Sequence, residues 1–450
     1  MKKLLKYLIP AALMAVIPLS GEDRTVVILG ALSTGIATLF LLFYSIKRVE
    51  RLFSPVSVFA LMLGFYSSLG MVMWLIHDPL NMNYQGSARL VTLVHCVTTL
   101  LLILIAQTDG ILRRKRHKSL KRRPVRLYPA AFWILLGLEY LGIFLFTAGF
   151  KFIPILSSDI DDTRIDLASA SRVGAGIAPT LILLGVFCMT YILFSRKKLA
   201  EKAVYLLVIA IPFLLYGGRL LMLIPLVVIV VSFIVQRYRR ITVRGALYAL
   251  GGAALLLFIL MVFGTFRSLG DTDSDSILKF MTADLFPEFR NSVTAFYLNA
   301  MDASLTIILL FSLSLLPGPA AALVGIDKSA LRLTMGEYVA ELMGFRGLGI
   351  RAGYIGELLL TNTLFYIAVW LLTIALILFL NNRYYKIGVW NGRKMVLFFE
   401  GFYLALVIPY GTGLLAGFVM LFVVFFIAEL FIYARHPSPK KPVTDESTAG

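Results

Sequence analysis

The chain has 450 residues, 59% of them hydrophobic and only 15% charged, whereas soluble domains are about half apolar and roughly a quarter charged. That excludes an ordinary soluble protein and leaves a polytopic helical membrane protein. The net charge of +18 does not point to nucleic acid, because the basic residues sit in short segments between apolar runs.

Apolar runs of spanning length fall near 4–20, 25–46, 53–76, 89–107, 129–149, 177–194, 203–216, 220–235, 246–266, 358–380, 396–410 and 412–433, giving about twelve transmembrane helices. The first run imitates a signal peptide, with Lys2 and Lys3 before it and Pro18-Leu19-Ser20-Gly21 after it. It reads as an uncleaved span, because its removal would spoil the alternation that follows. With Lys2, Lys3 and Lys6 on the cytoplasmic side, the cytoplasmic segments collect 30 of the 43 basic residues, among them Lys47, Arg48, Arg51, Arg383, Lys386, Arg393 and Lys394. This asymmetry places both termini in the cytoplasm. Residues 1–435 form one polytopic domain, and 436–450 read as a disordered tail. Cys96 and Cys188 lie inside apolar runs and build no disulfide framework.

Two external segments are long, 150–176 and 267–356. Leu305–Leu316 within the second reads as re-entrant or interfacial, broken at Pro317-Gly318-Pro319, because a thirteenth span would invert every later loop. Phosphate-loop, zinc-helix, nucleophile-elbow and Cys-x-x-Cys motifs are missing. His77, His95, His117 and His436 are scattered, and His95 reads as a packing residue inside a span. The Asp271-Thr272-Asp273-Ser274-Asp275 run opens like a calcium loop but lacks the glycine and closing glutamate, so no metal or other cofactor is expected.

The unusual feature is arginine on the external side: ten of its 13 basic residues are Arg. The guanidinium fork grips phosphate through two hydrogen bonds and keeps its proton. Arg24, Arg89 and Arg346 read as interfacial residues. Arg219, after Leu215-Tyr216-Gly217-Gly218 and inside an apolar stretch, reads as functional, since a cation there is costly. Arg164 and Arg172 lie in the first long segment beside Asp159, Asp161 and Asp162. Arg267, Arg290 and Arg351 belong to the second, which ends in Gly353-Tyr354-Ile355-Gly356-Glu357. Arg351 pairing with Glu357 is the structural alternative.

These residues carry a resemblance. Ile153 to Arg164 is similar to the first long periplasmic segment of the Wzy-type O-antigen polymerases. Gly217-Gly218-Arg219 resembles that family's Gly-Ser-Arg turn, with Gly218 in place of Ser. Leu313–Pro319 resembles the apolar part of its large loop, and Gly353 to Asn362 resembles the approach to its next span. The resemblance implies a GT-C-like fold in the bacterial inner membrane and metal-independent glycosyl transfer. The donor would be a glycan on undecaprenyl pyrophosphate and the acceptor a lipid-linked repeat unit, with a chain-length-regulating co-polymerase as a partner. Arg164 and Arg219 would then be catalytic, with Arg172, Arg267, Arg290, Arg351 and Tyr354 binding pyrophosphate or glycan. Glu357 is the proposed base on bottom-up grounds, with Asp159, Asp161, Asp284 and Glu288 next. An O-antigen ligase and a lipid-linked oligosaccharide flippase are the alternatives. The ligases use a His in the large loop, and residues 267–356 contain none.

Overall fold

The computed structural model describes residues 8–17, 22–76, 86–116, 129–151, 153, 172–216, 219–238, 241, 242, 245, 286–298, 338, 339, 352–361, 363–387 and 390–432. Among these residues every regular element is a helix. The N-terminal group is α1 (Leu8–Val16), α2 (Asp23–Ser45), α3 (Val49–Leu52), α4 (Pro55–Ile76) and α5 (Ser87–Arg116). The middle group is α6 (Pro129–Phe146), α7 (Arg172–Leu183), α8 (Gly185–Leu193), α9 (Leu199–Leu215) and α10 (Arg219–Arg237). Two short helices follow, α11 (Glu288–Leu298) and α12 (Gly353–Leu359), and then α13 (Thr363–Lys386), α14 (Gly392–Ala405), α15 (Val407–Tyr410) and α16 (Thr412–Ile432).

Four described stretches are long and apolar enough to cross a membrane: Asp23–Ser45, Pro55–Ile76, Ser87–Asp109 and Leu364–Lys386. The first, at 23 residues, is about 35 Å long at 1.5 Å per residue, against a hydrocarbon core of about 30 Å. Several shorter apolar helices accompany them, a pattern consistent with a multi-pass membrane protein. Local signals set the ends. Pro55 opens α4, where its missing N–H costs nothing, and the Ser54 hydroxyl accepts from the Ser57 backbone N–H at 3.4 Å. The Asn391 side chain caps α14 by accepting from the Lys394 N–H at 2.9 Å.

Some predicted spans differ from the observed helices, among them 396–410, which is divided at Leu406 into α14 and α15. The stretch expected as one helix over 177–194 is interrupted at Leu184, whose N–H turns back to the Leu181 carbonyl at 3.0 Å, just after Pro179. The run expected over 358–380 is displaced. The α12 helix ends at Leu359, the Thr361 hydroxyl and N–H both close on the Leu358 carbonyl at 2.6 and 3.1 Å, and a new helix runs from Thr363 to Lys386. Apolarity continues through Leu358-Leu359-Leu360, so hydropathy alone could not show that the side-chain cap ends the turn there. The predicted span 246–266, the re-entrant Leu305–Leu316 and the tail 436–450 lie outside the described residues.

Small residues let the helices approach closely, as expected where lipid supplies no hydrophobic drive between them. The α2, α4 and α5 helices pack together with Gly30 against Thr92, Met71 and Cys96, and Gly64 against Thr38. A methyl at Gly142 in α6 would lie 2.8 Å from Leu181 Cβ in α7. Several hydroxyls inside the spans return to their own helix, as with Thr34 to the Gly30 carbonyl at 2.8 Å and Thr147 to Ile143 at 2.8 Å, so these cost little in a dry interior.

One end of the bundle is tied by charge. The Lys394 ammonium is fully buried, ion-paired with Glu50 and donating to the Ile387 carbonyl at 3.0 Å. It sits 4.5 Å from the Tyr384 ring centre and 5.4 Å from that of Trp390. Nearby helix ends add Arg383 and Arg393 on Glu429, and Asn381 on Asp109. The basic-residue pattern assigns Lys47–Arg51 and Arg383–Lys394 to the same side, and these segments do meet in space.

Candidate functional site

The site is assembled by parts of the chain that hydropathy alone reads as a loop. In α11, Phe286, Phe289, Val293 and Tyr297 recur at helical spacing around a polar sequence, and the helix is sunk into the bundle. Glu288, Phe289, Asn291, Ser292, Val293, Thr294 and Ala295 are all buried. The helix packs on α4, α5 and α12. Phe289 sets its ring edge-on to Trp74 at 6.4 Å and to His95 at 5.5 Å. The space comes from Gly70, where a Cβ would lie 2.9 Å from Phe289 Cβ. Phe286 contacts Tyr66, with ring centres 5.5 Å apart.

The α12 helix is locked to α11 by the Ser292 hydroxyl, which lies 2.6 Å from the Glu288 carbonyl and 2.7 Å from the Ala352 carbonyl. Gly356 abuts that serine. Two positive-φ glycines make the approach possible. Gly353, at φ +70°, would drive a Cβ to 2.9 Å from the Ile408 carbonyl oxygen and 3.0 Å from Glu288 Cβ. Gly411, at φ +72°, lies directly against the Glu357 carboxyl. Gly353→Ala should therefore lower thermal stability in detergent by about 1–3 kcal/mol, from strain at a left-handed residue plus overpacking. Gly137→Ala in α6, where a Cβ meets nothing within 4 Å, should be neutral or slightly stabilising.

Between α11, α12, α4 and α5 lies a cavity of about 10 Å³, with Tyr66, Ser67, His95, Glu288, Phe289 and Gly353 in its lining. That is room for one water-sized guest. The His95 ring is held by Ser67, whose Oγ lies 2.9 Å from Nδ1, and Ser67 in turn accepts from Thr99 at 3.5 Å. Among the described residues, the His95 Nε2 is buried without a hydrogen-bond partner.

Three of the residues expected at a site lie on α11 and α12, but none of them is in the lining of the cavity. Arg290 lies on α11 and donates from Nε to Asn291 Oδ1 at 3.2 Å. Tyr354 is buried, its hydroxyl 2.8 Å from Thr373 Oγ1, with its ring against Trp370 at 5.4 Å. Glu357 is buried in α12 beside Gly411, whereas Glu288 borders the cavity. Arg172 and Arg219 are the first residues of α7 and α10. Arg164, Arg267 and Arg351 lie outside the described residues, as do Asp159, Asp161, Asp284 and the Asp271-Asp273-Asp275 run. Among the described residues no three His, Cys, Asp or Glu side chains gather into a metal site.

Sequence reading missed His95 and Ser67 as partners. They are 28 residues apart on different helices, and no local spacing signals their contact. It ranked Glu288 last among the bases, although the apolar stripe of α11 was visible as a sign that this segment is buried. Compared with known protein families, curated proteins and solved structures, the chain has no match in any of the three.

Proposed function

We propose that this chain is a membrane glycosyltransferase that polymerises undecaprenyl-pyrophosphate-linked repeat units on the periplasmic face of a bacterial inner membrane, within a GT-C-like bundle of about twelve spans with both termini cytoplasmic. The single observation that carries the reading is the burial of α11 and α12. Two pieces of an external segment fold into the bundle and bring Glu288, Glu357, Arg290 and Tyr354 onto adjoining helices. Carboxylates and arginine on one buried pair of elements are what acceptor activation and pyrophosphate stabilisation require.

In that reaction an acceptor hydroxyl oxygen bonds to the anomeric carbon of the donor glycan. The bond from that carbon to the pyrophosphate oxygen breaks, and its electron pair leaves on undecaprenyl pyrophosphate. The hydroxyl proton passes to a carboxylate, Glu357 or Glu288. The pyrophosphate is a good leaving group, so the task is to hold its growing charge, and arginines at Arg219, Arg164, Arg172, Arg267, Arg290 and Arg351 meet it. A chain-length-regulating partner fits a polymerase that must stop.

A strain lacking the chain should carry surface glycan of core plus one repeat on a gel, whereas bare core would indicate a ligase or a flippase. Purified in liposomes with lipid-linked repeat units, the protein should produce a ladder that survives EDTA, because guanidinium groups take the electrostatic part a divalent ion would play. Reversible loss of the ladder with EDTA would make the Asp271-Asp273-Asp275 run the leading site and overturn the arginine mechanism.

A further inference from the structure

The cavity between α5 and α11 has Ser67, His95 and Glu288 in its lining together with the Tyr66 and Phe289 rings. Ser67 Oγ accepts from Thr99, and the partner present for its own proton is His95 Nδ1 at 2.9 Å. With Ser67 donating to Nδ1, the neutral ring carries its hydrogen on Nε2. That N–H is buried without an acceptor among the described residues, and His95 lines the cavity together with Glu288. A buried donor left unmade is costly, and the space holds one oxygen atom but not a sugar ring.

We infer that this cavity is a binding site for a single hydroxyl oxygen, which accepts from His95 Nε2–H and donates to the Glu288 carboxylate. Water and the acceptor sugar's hydroxyl share that chemistry. Water fills the site at rest; a hydroxyl projecting from a ring that itself lies outside replaces it. The second role rests on the polymerase reading above. There His95 fixes the oxygen and Glu288 takes its proton as the oxygen bonds to the donor's anomeric carbon, the pyrophosphate departing with the electron pair. Solvent later removes the proton from Glu288. Gly353 keeps the site open, since a Cβ there would press on Glu288 Cβ and Cγ at 3.0 and 3.1 Å.

Two measurements test this on the full-length protein. A high-resolution cryo-EM map should show one ordered oxygen within hydrogen-bonding distance of His95 Nε2 and a Glu288 carboxyl oxygen. In liposomes with lipid-linked repeat units, His95→Phe keeps a ring but removes the donor, and should lower kcat by about 100-fold with little change in KM. His95→Gln, which retains an N–H donor, should recover part of that loss, and Glu288→Gln should fall at least as far as His95→Phe. An empty cavity in the map overturns the site. An ordered oxygen combined with wild-type turnover in His95→Phe keeps the site and assigns it to water alone. If the wild-type protein makes no polymer from these substrates, the polymerase reading fails while the map still decides the cavity.

Discussion

Arg219→Lys is expected to remove most polymer while leaving the protein in the membrane at its normal level. The substitution keeps the charge and most of the apolar stem but loses the planar fork, so any two-point grip on a phosphate becomes a single contact. Deleting one preorganised donor at a developing oxyanion typically costs about 3–4 kcal/mol, a fall of 100-fold or more. The backbone strengthens the case. Arg219 is the first residue of α10 and Arg172 the first residue of α7, where the helix dipole is positive and a cation is disfavoured by roughly 0.3–1 kcal/mol. The check is a glycan ladder beside an immunoblot of the membrane fraction. Ladders near normal from both Arg219→Lys and Arg219→Ala would reduce the residue to an interfacial anchor.

Glu50→Gln should destabilise the protein far more than Lys394→Met, although both break the same ion pair. The asymmetry follows from burial, because Lys394 is completely enclosed and the Glu50 side chain is 35% exposed. Removing the carboxylate takes the ion pair from a buried ammonium whose other contacts include the Ile387 carbonyl and the Tyr384, Tyr385 and Trp390 rings. Stranding a buried charge costs about 3–5 kcal/mol. Methionine at 394 fills nearly the same volume without a charge and leaves Glu50 able to reach water, for a cost of about 1 kcal/mol or less. Thermal unfolding in detergent should rank wild type, then Lys394→Met, then Glu50→Gln well below. Equal losses would mean that packing of the Lys394 stem matters more than its charge.

Much of the fold was legible in the residues and part of the site was not. Spanning helices announce themselves because lipid demands long apolar runs, and Asp23–Ser45 and Pro55–Ile76 fall within a few residues of the expected spans. The grouping of Glu50 with Lys394 and of Arg383 and Arg393 with Glu429 agrees with the side assigned from basic residues alone. Glu357 and Tyr354 were expected at a site and are buried side by side with α11. What hydropathy could not show was the break after Leu359, which a single threonine hydroxyl closes, or the descent of Glu288 into the bundle. Polar residues weigh against burial in any linear reading, and the complementary surfaces of Gly70, Gly353 and Ser292 contribute to making that burial favourable. Pairs such as Ser67 with His95 arise from helix packing and leave no trace in local sequence.

The packing around Gly353 also fixes an order of assembly. Glu288 on α11 rests against Gly353, and Gly353 against the Ile408 carbonyl, so this three-way contact, spread over 120 residues of chain, is complete only once Ile408 has been made. During synthesis α11 emerges well before α15, and until Ile408 has been made it lacks one wall of its niche. The wall of the site that Ile408 supplies is therefore added late in synthesis. A ribosome stalled shortly before Val407 should hold a chain whose first spans are inserted while α11 is still open to protease.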